Sequence, residues 1–114
     1  MTLQEIAEKL DLTLESTGTP TEDEVTGGYA SDMLSCVMAR ARKGNIWVTL
    51  QAHPNIVAVA SLLELAGIIV TEGVRPDEGT VQKAREENIP LFTSPRTTFS
   101  IVAQLGELGV QGAE

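Results

Sequence analysis

The sequence predicts an α/β domain with three α/β/α layers and a mainly parallel central sheet of about four to five strands. Beyond residue 25, short apolar runs of strand length alternate four times with segments of helical periodicity. Residues 67–94 read as one strand–turn–helix–strand unit, and such a crossover joins parallel strands. At 114 residues, 42% of them apolar, the chain is long enough to build one hydrophobic core.

The first 24 residues are predicted to form a helix, a strand and an acidic loop. Thr2 and Glu5 make a T-x-x-E capping box, after which apolar residues recur at helical spacing over 3–10. Alternating leucine and polar residues at 12–15 indicate a short strand. Turn-forming and acidic residues at 16–24 predict an exposed loop, which should be the most flexible segment.

Residues 25–108 are predicted to form the core of a single domain that spans residues 1–114. Four further helices are predicted, at 31–43, 56–66, 76–88 and 96–108. The strands between them are predicted at 25–30, 46–50, 68–71 and 90–93. Ser31 and Pro76 are typical of helix starts, whereas Gly44 and Gly67 are typical of helix ends. The apolar stripes predicted to face inward are Leu34, Val37, Met38 and Ala41 in the first helix, and Ile101, Val102, Leu105 and Leu108 in the last.

The helix predicted at 56–66 is apolar on nearly every side, since Ser61 and Glu64 are its only polar residues. A helix of this kind has to be covered nearly all round. Flanking helices of the same chain would cover it, and so would a second copy of the chain. We favour the second copy and therefore predict a homodimer.

Composition and charge exclude several classes of partner. The net charge of −8 is unfavourable for nucleic acid, whose phosphates attract clustered Lys and Arg. No apolar run is long enough to span a membrane, and polar residues interrupt the amino terminus where a signal peptide would lie. The single cysteine, Cys36, cannot form an intramolecular disulfide and is expected to be inert. The chain is therefore predicted to be cytoplasmic and to bind neither nucleic acid nor a membrane.

The common sequence signatures of catalysis and cofactor binding are absent. There is no G-x-x-x-x-G-K-[ST] phosphate loop and no G-x-G-x-x-G dinucleotide fingerprint. One histidine and one cysteine do not suffice for a metal site of several such ligands, and no G-x-S-x-G elbow presents a nucleophile. We therefore predict a protein that is not an enzyme and has no cofactor, metal or catalytic residue. His53 is expected to cap the next helix or face solvent, rather than serve a small transferase.

Small polar residues follow three of the predicted strands, at the edge where parallel strands end. Short hydroxyl and amide side chains, glycine turns and free helix N-termini suit an anion such as phosphate. The predicted ligand-binding residues are Asn55, Thr71, Gly73, Arg75, Ser94, Thr97 and Thr98. Arg75 and Arg96 would supply bidentate contacts, although Glu72 in the same turn disfavours phosphate. The alternative is that the short polar residues cap helices and that Arg75 pairs with Asp77 or Glu78.

One stretch of the chain resembles a known domain family. The segments IIVTEGVRPDEGTV, NIPLFTS and TTF, together with the preceding YASDMLSCVMA, resemble a DRTGG domain, and the resemblance extends over about residues 25–108. This family is similar to the N-terminal domain of bacterial HPr kinase/phosphorylase and also occurs beside CBS domains in some inorganic pyrophosphatases. The resemblance implies a layered α/β/α fold and a regulatory or interaction module that often lies at a dimer interface.

Two hypotheses about function follow. The first is a non-catalytic regulatory or sensor module that dimerises and binds a small anionic metabolite, such as an adenine nucleotide, at the strand-end loops. The second is an adaptor without a ligand, which uses helix 56–66 to bind a larger enzyme. For that enzyme, the resemblance implies a redox-linked or hydrogenase-linked system.

Overall fold

The computed structural model describes residues 1–114, which form five strands and five helices. The strands are β1 (Thr13–Leu14), β2 (Gly27–Ala30), β3 (Asn45–Thr49), β4 (Gly67–Val70) and β5 (Leu91–Thr93). The helices are α1 (Leu3–Lys9), α2 (Leu34–Arg40), α3 (Asn55–Leu63), α4 (Glu78–Glu86) and α5 (Thr98–Glu107). None of these helices is long and apolar enough to cross a bilayer.

The five strands form one sheet in the order β1-β5-β4-β3-β2. Strands β2 to β5 are parallel and lie in chain order, each hydrogen-bonded to the next. Only β1 is antiparallel, with Thr13 opposite Thr93 and Leu14 opposite Phe92 on β5. The mainly parallel sheet predicted from the crossover unit is therefore confirmed.

The direction in which the crossovers run explains the three layers. Because each connection from β2 to β5 steps to the next strand in the same direction, right-handed crossovers place α2, α3 and α4 on one face. Trp47, Ile68 and Leu91 point to that face and pack with these helices. The neighbouring residues Ile69 and Phe92 point the other way and pack with α1 and α5. The predicted α/β/α layering is thus confirmed, with two apolar clusters on either side of the sheet.

Helix α3 is the middle one of the three helices on its face, with α2 on one side and α4 on the other. Its buried residues are Ile56, Val57, Val59 and Ala60. Of its apolar residues only Ala58 and Leu62 are exposed. The flanking helices therefore account for the apolar character of this segment, and α3 no longer provides an argument for a homodimer.

The predicted end of this helix at Gly67 is wrong. The helix ends at Leu63, and Glu64 takes up the left-handed conformation, with φ of +56°, that glycine more often supplies. Gly67 instead begins β4, where a Cβ would lie 3.0 Å from the carbonyl oxygen of Pro90 and 3.2 Å from Leu3. A close approach of neighbouring chain, rather than a helix stop, is therefore the reason for glycine at position 67.

Helix α2 is also shorter than the 31–43 predicted. Its chain turns away after Arg40, where the side chain of Asn45 accepts a hydrogen bond from the Arg42 N–H at 2.8 Å. Two residues predicted to face inward, Met38 on α2 and Val102 on α5, are 48% and 43% exposed. Each of these helices touches the sheet with one narrow face, so the outer members of its apolar stripe remain in solvent.

The acidic loop at 16–24 is anchored more firmly than predicted. Ser16 is fully buried, and its hydroxyl donates to the carbonyl of Ile89 and accepts from the N–H of Leu91. Further along, the backbone carbonyls of Thr21 and Asp23 accept hydrogen bonds from the first turn of α1. The loop therefore links the edge of the sheet to the N-terminus of α1, and the prediction that it is exposed is wrong at Ser16.

Candidate functional site

The chain leaves the ends of β4 and β5 toward opposite faces of the sheet. After β4 it crosses to α4 on one face, and after β5 it crosses to α5 on the other. In open parallel sheets, a ligand-binding crevice forms where neighbouring connections diverge in this way. The carboxyl ends of β4 and β5 are accordingly the place in this fold where a site is expected.

The turn after β4 lies at this point, where the two connections diverge. Glu72 and Gly73 have φ values of +64° and +71°, and the Val74 N–H bonds to the carbonyl of Thr71 at 3.2 Å. Two consecutive positive φ values favour glycine, which residue 73 supplies. The turn is held to the loop after β5 by the Gly73 N–H, which donates to the carbonyl of Ser94 at 3.1 Å. The two loops thus form one unit, which we call the strand-end bridge (residues 71–74 and 94–96).

Glu72 has a structural partner within this bridge. Its carboxylate accepts a hydrogen bond of 2.8 Å from the N–H of Thr98, the first residue of α5. A negative charge at a helix N-terminus is favourable, and here it satisfies a donor that has no partner within the helix. Directly behind it, the hydroxyls of Thr71 and Thr98 lie 2.6 Å apart and bond to each other. The N-terminus of α5 is therefore already occupied by the protein's own carboxylate.

An open groove of about 610 Å³ lies beside the strand-end bridge, between α4 and the β5–β1 edge. Helix α4 is the last helix on its face, and β1 lies beyond β5 at the edge of the sheet. We call this groove the α4 groove. Its lining residues are Glu15, Gly73, Val74, Arg75, Pro76, Glu78, Val81, Gln82, Arg85, Thr93, Ser94 and Pro95.

One wall of the groove is a single face of α4. Glu78, Val81, Gln82 and Arg85 are spaced i, i+3, i+4 and i+7, which places them in one row along a helix. The opposite side carries Thr93 of β5 and Glu15 just beyond β1. The groove is therefore a product of the tertiary fold, with walls from the N-terminal segment, the crossover helix and the strand ends.

The two arginines of the groove have almost no partners within the protein. Arg75 makes no side-chain hydrogen bond and no ion pair, so the alternative that it pairs with Asp77 or Glu78 is wrong. Arg85 makes one long bond of 3.4 Å to the carbonyl of Glu15. Both side chains are exposed and their donor groups remain available to a ligand.

The two glutamates of the groove differ in their partners. The Glu15 carboxylate accepts a hydrogen bond of 2.7 Å from the Thr93 hydroxyl. Glu78 has no ion-pair partner and lies in the first turn of α4, where a carboxylate is favourable for the helix. The two arginines and two glutamates give the groove a formal charge of zero, within a chain whose net charge is −8.

The structure brings three of the seven predicted site residues to this groove: Gly73, Arg75 and Ser94. Ser94 is nearly buried, and its hydroxyl accepts from the Arg96 N–H at 3.1 Å. Thr71 and Thr98 lie behind the groove, bonded to each other. These five residues share the strand-end bridge or its immediate surroundings.

The remaining predicted residues, Thr97 and Asn55, lie at the starts of helices. Thr97 is the N-cap of α5 and accepts the N–H of Ser100 at 3.1 Å. Asn55 begins α3 and donates its N–H to the Nδ1 atom of His53 at 3.1 Å, which gives His53 the helix-capping role expected for it. Arg96 points away from the groove and bonds to the carbonyl of Leu10 and to Gln104.

The sequence prediction missed Arg85, Gln82 and Glu15 as groove residues. Arg85 and Gln82 could have been predicted from helical spacing, because they lie on the same face of α4 as Glu78. The start of that helix follows closely after the predicted site residue Arg75. For Glu15 there was no such signal, since its position depends on which strand lies next to β5. No group of three or more His, Cys, Asp or Glu side chains is arranged to hold a metal ion.

Comparisons with known proteins agree with this fold. One similar structure is that of the CBS and DRTGG domains of the regulatory region of Clostridium perfringens pyrophosphatase, complexed with its activator, diadenosine tetraphosphate. The TM-score is 0.68 at 20% sequence identity, which shows a shared fold. The match covers 90% of this chain and 44% of the other, so the chain spans less than half the length of that region.

No curated protein matches the chain. The model of the DRTGG domain family matches residues 5–108, which is nearly the whole length. The match includes most of α1 and all of β1, as well as the segments whose motifs support the resemblance. The chain therefore belongs to the DRTGG domain family.

Proposed function

We propose that this chain is a regulatory domain that binds a small anionic metabolite in the α4 groove. The observation that supports this most directly is the pair of arginines, Arg75 and Arg85, left without ion-pair partners in one groove. Of the eight Lys and Arg side chains only Lys43 forms an ion pair, so what distinguishes Arg75 and Arg85 is that both line the same groove with free donor groups. Guanidinium groups recognise phosphate and carboxylate groups through paired N–H donors.

An adenine nucleotide is the ligand class we favour. The groove volume of about 610 Å³ lies within the range of small-molecule sites. Its apolar residues, Val74, Val81 and the prolines at 76 and 95, would contact the base and the arginines the phosphates. The activator of the similar pyrophosphatase region is a dinucleotide, which is consistent with this class.

A regulatory effect would pass through the strand-end bridge. A ligand bound to Arg75 and Gly73 would touch the same turn whose Glu72 holds the N-terminus of α5. Displacement of that turn would change the position of α5, because the Glu72–Thr98 hydrogen bond links the two. Binding of a ligand on one face of the sheet would then displace α5 on the opposite face, where a partner protein could bind.

A thermal-shift panel tests the proposal directly. We expect AMP, ADP or ATP at millimolar concentration to raise the unfolding temperature of the wild type by a few degrees, as follows from binding to the native state alone. Arg75→Gln should abolish most of the shift. Arg40→Gln, at an exposed position on α2 outside the groove, is the matched control and should keep it. No shift with any nucleotide or phosphorylated metabolite would overturn the proposal.

We also propose that the domain acts as a homodimer, through α5 rather than α3. Phe99 and Val102, one helical turn apart on α5, are 84% and 43% exposed, and we call them the α5 patch. Large apolar side chains exposed side by side are typical of protein interfaces.

The second candidate function, a ligand-free adaptor, is favoured by the same α5 patch. In that case the patch binds a different protein, and no compound stabilises the domain. The nucleotide panel and the molar mass in solution together separate the two candidates. A monomer that no compound stabilises would favour the adaptor, whereas a dimer stabilised by a nucleotide would favour the regulatory domain.

A further inference from the structure

We propose that the ligand is a linear polyphosphate-type anion, which is held at two points by Arg75 and Arg85. This inference rests on the proposed function and names the ligand chemistry of the same groove. It assigns Arg85, a residue outside the predicted site, as the second anion contact.

The placement of the two arginines along α4 is the first argument. Arg85 lies seven residues after Glu78, so about 10 Å of helix separates it from the start of α4. Arg75 precedes that start by three residues, beside the strand-end bridge. The two cationic side chains therefore arise at opposite ends of one groove wall, which suits an extended anion better than a single compact phosphate.

The groove between the arginines is the second argument. The Gln82 side chain on α4 offers amide hydrogens to an anion without adding charge, whereas the Thr93 hydroxyl on β5 already donates to Glu15. The Glu15 carboxylate bonds to the Thr93 hydroxyl and forms no ion pair with Arg85, whose one contact with Glu15 is its backbone carbonyl. The positive charge of the groove thus comes from its two arginines alone, and no ion pair within the protein neutralises either of them.

The free carboxylate of Glu78 is the third consideration. Glu78 lies in the first turn of α4, near the Arg75 end, and weakens the attraction of that end for an anion. A compact anion bound at Arg75 alone would be repelled by the Glu78 carboxylate and would gain no contact with Arg85. An anion that also reaches Arg85 gains a second charge-assisted contact, and the two contacts act together because they belong to one molecule.

The test is a calorimetric titration of the full chain with orthophosphate, pyrophosphate and linear tripolyphosphate, in buffer free of divalent cations. We expect tripolyphosphate to bind at least tenfold more tightly than orthophosphate. Arg75→Gln and Arg85→Gln should each remove most of that length dependence while leaving weak one-point binding. Arg40→Gln controls for the loss of one positive charge and should behave as the wild type.

The outcomes separate this inference from the proposed function. If a nucleotide or orthophosphate binds in a manner that depends on Arg75, but chain length has no effect, the two-point inference is overturned and the proposed function stands. If no anion or nucleotide binds at all, both are overturned. If length dependence is present and equally large in Arg85→Gln, general electrostatic attraction accounts for it and Arg85 is not the second contact.

Discussion

At the scale of single residues, hydrogen-bond partners determine how each charge in the α4 groove would act on a ligand. Glu15 and Glu78 carry the same formal charge, but only the carboxylate of Glu15 has a bonded hydroxyl partner, that of Thr93. We expect Glu78→Gln to tighten binding of an anion about two- to fivefold, because an exposed unpaired charge repels it by no more than ~1 kcal/mol. Titration calorimetry with tripolyphosphate measures the change.

Glu87→Gln provides the control for this prediction. It makes the same change in net charge just after α4, at an exposed residue outside the groove. Its effect on the dissociation constant should be smaller than that of Glu78→Gln. Equal effects would show that the overall charge of the chain, rather than the position of Glu78, governs binding.

At the scale of single elements, the start of α1 links stability to pH. The Thr2 N–H donates to the Glu5 carboxylate at 3.0 Å, and the Glu5 N–H donates to the Thr2 hydroxyl at 3.2 Å. The bond from the Thr2 backbone, together with that from its hydroxyl, holds the pKa of Glu5 below its ordinary value of 4.5. A lowered carboxyl pKa stabilises the fold above the unfolded pKa, and the contribution is lost as the pH falls through the folded pKa.

We therefore expect Glu5→Gln to have a lower unfolding temperature than the wild type at neutral pH. The difference should shrink once the pH falls below 4.5, as the wild-type carboxylate takes up its proton. Thermal melts by circular dichroism over a range of pH measure it. A difference that is the same in neutral and strongly acidic buffer would contradict this role of the Glu5 charge.

Two glycines in regular elements should respond to alanine in opposite directions. At Gly67 in β4, a Cβ would meet the Pro90 carbonyl oxygen at 3.0 Å, so Gly67→Ala should lower the free energy of unfolding by about 1–3 kcal/mol. At Gly106 in α5, nothing lies within 4 Å, so Gly106→Ala should raise it by about 0.5–1 kcal/mol. Urea denaturation measures both. A stabilised Gly67→Ala would show that β4 and the residue before β5 separate easily.

The existence of most elements could be predicted from the sequence, whereas their ends could not. Hydrophobic periodicity is a local property, and it correctly indicated all five helices and the parallel strands. Helix ends depend on distant partners, such as the Asn45 side chain that captures the Arg42 N–H where α2 stops. The apolar sequence of α3 predicts a dimer interface only because no sequence pattern shows that α2 and α4 lie on either side of it.

The candidate site was predictable to the extent that it lies at strand ends. Gly73, Arg75 and Ser94 reach the groove because parallel strands end at one edge of the sheet. Glu15 lies at the groove because β1 pairs with β5. Its hydrogen bond to Thr93 joins residues that are 78 positions apart in the sequence. A contact of that kind is set by the strand order, which the sequence pattern left open.

At the scale of the whole molecule, net charge limits how two copies can meet. Two chains of charge −8 repel each other, so a stable contact has to come from apolar surface. On the face of the sheet covered by α2, α3 and α4, the exposed large apolar side chains of these helices are Leu62 of α3 at 67% and Met38 of α2 at 48%, one on each helix. On the other face the α5 patch offers two apolar side chains one turn apart, which makes α5 the better candidate for a dimer contact.

We therefore expect light scattering to give the mass of a dimer at tens of micromolar chain, and Phe99→Asp to give that of a monomer. A carboxylate in place of an 84% exposed phenyl ring should leave the fold intact while placing a charge in the contact. Leu62→Asp is the matched control, because it introduces the same charge on α3 and should leave the dimer unchanged. If Leu62→Asp alone disrupted the dimer, the dimer contact would lie on α3. If the wild type were a monomer at every concentration, the homodimer would be excluded. Circular dichroism of both variants establishes that any loss of mass reflects dissociation of folded chains, so that the result bears on the contact and not on folding.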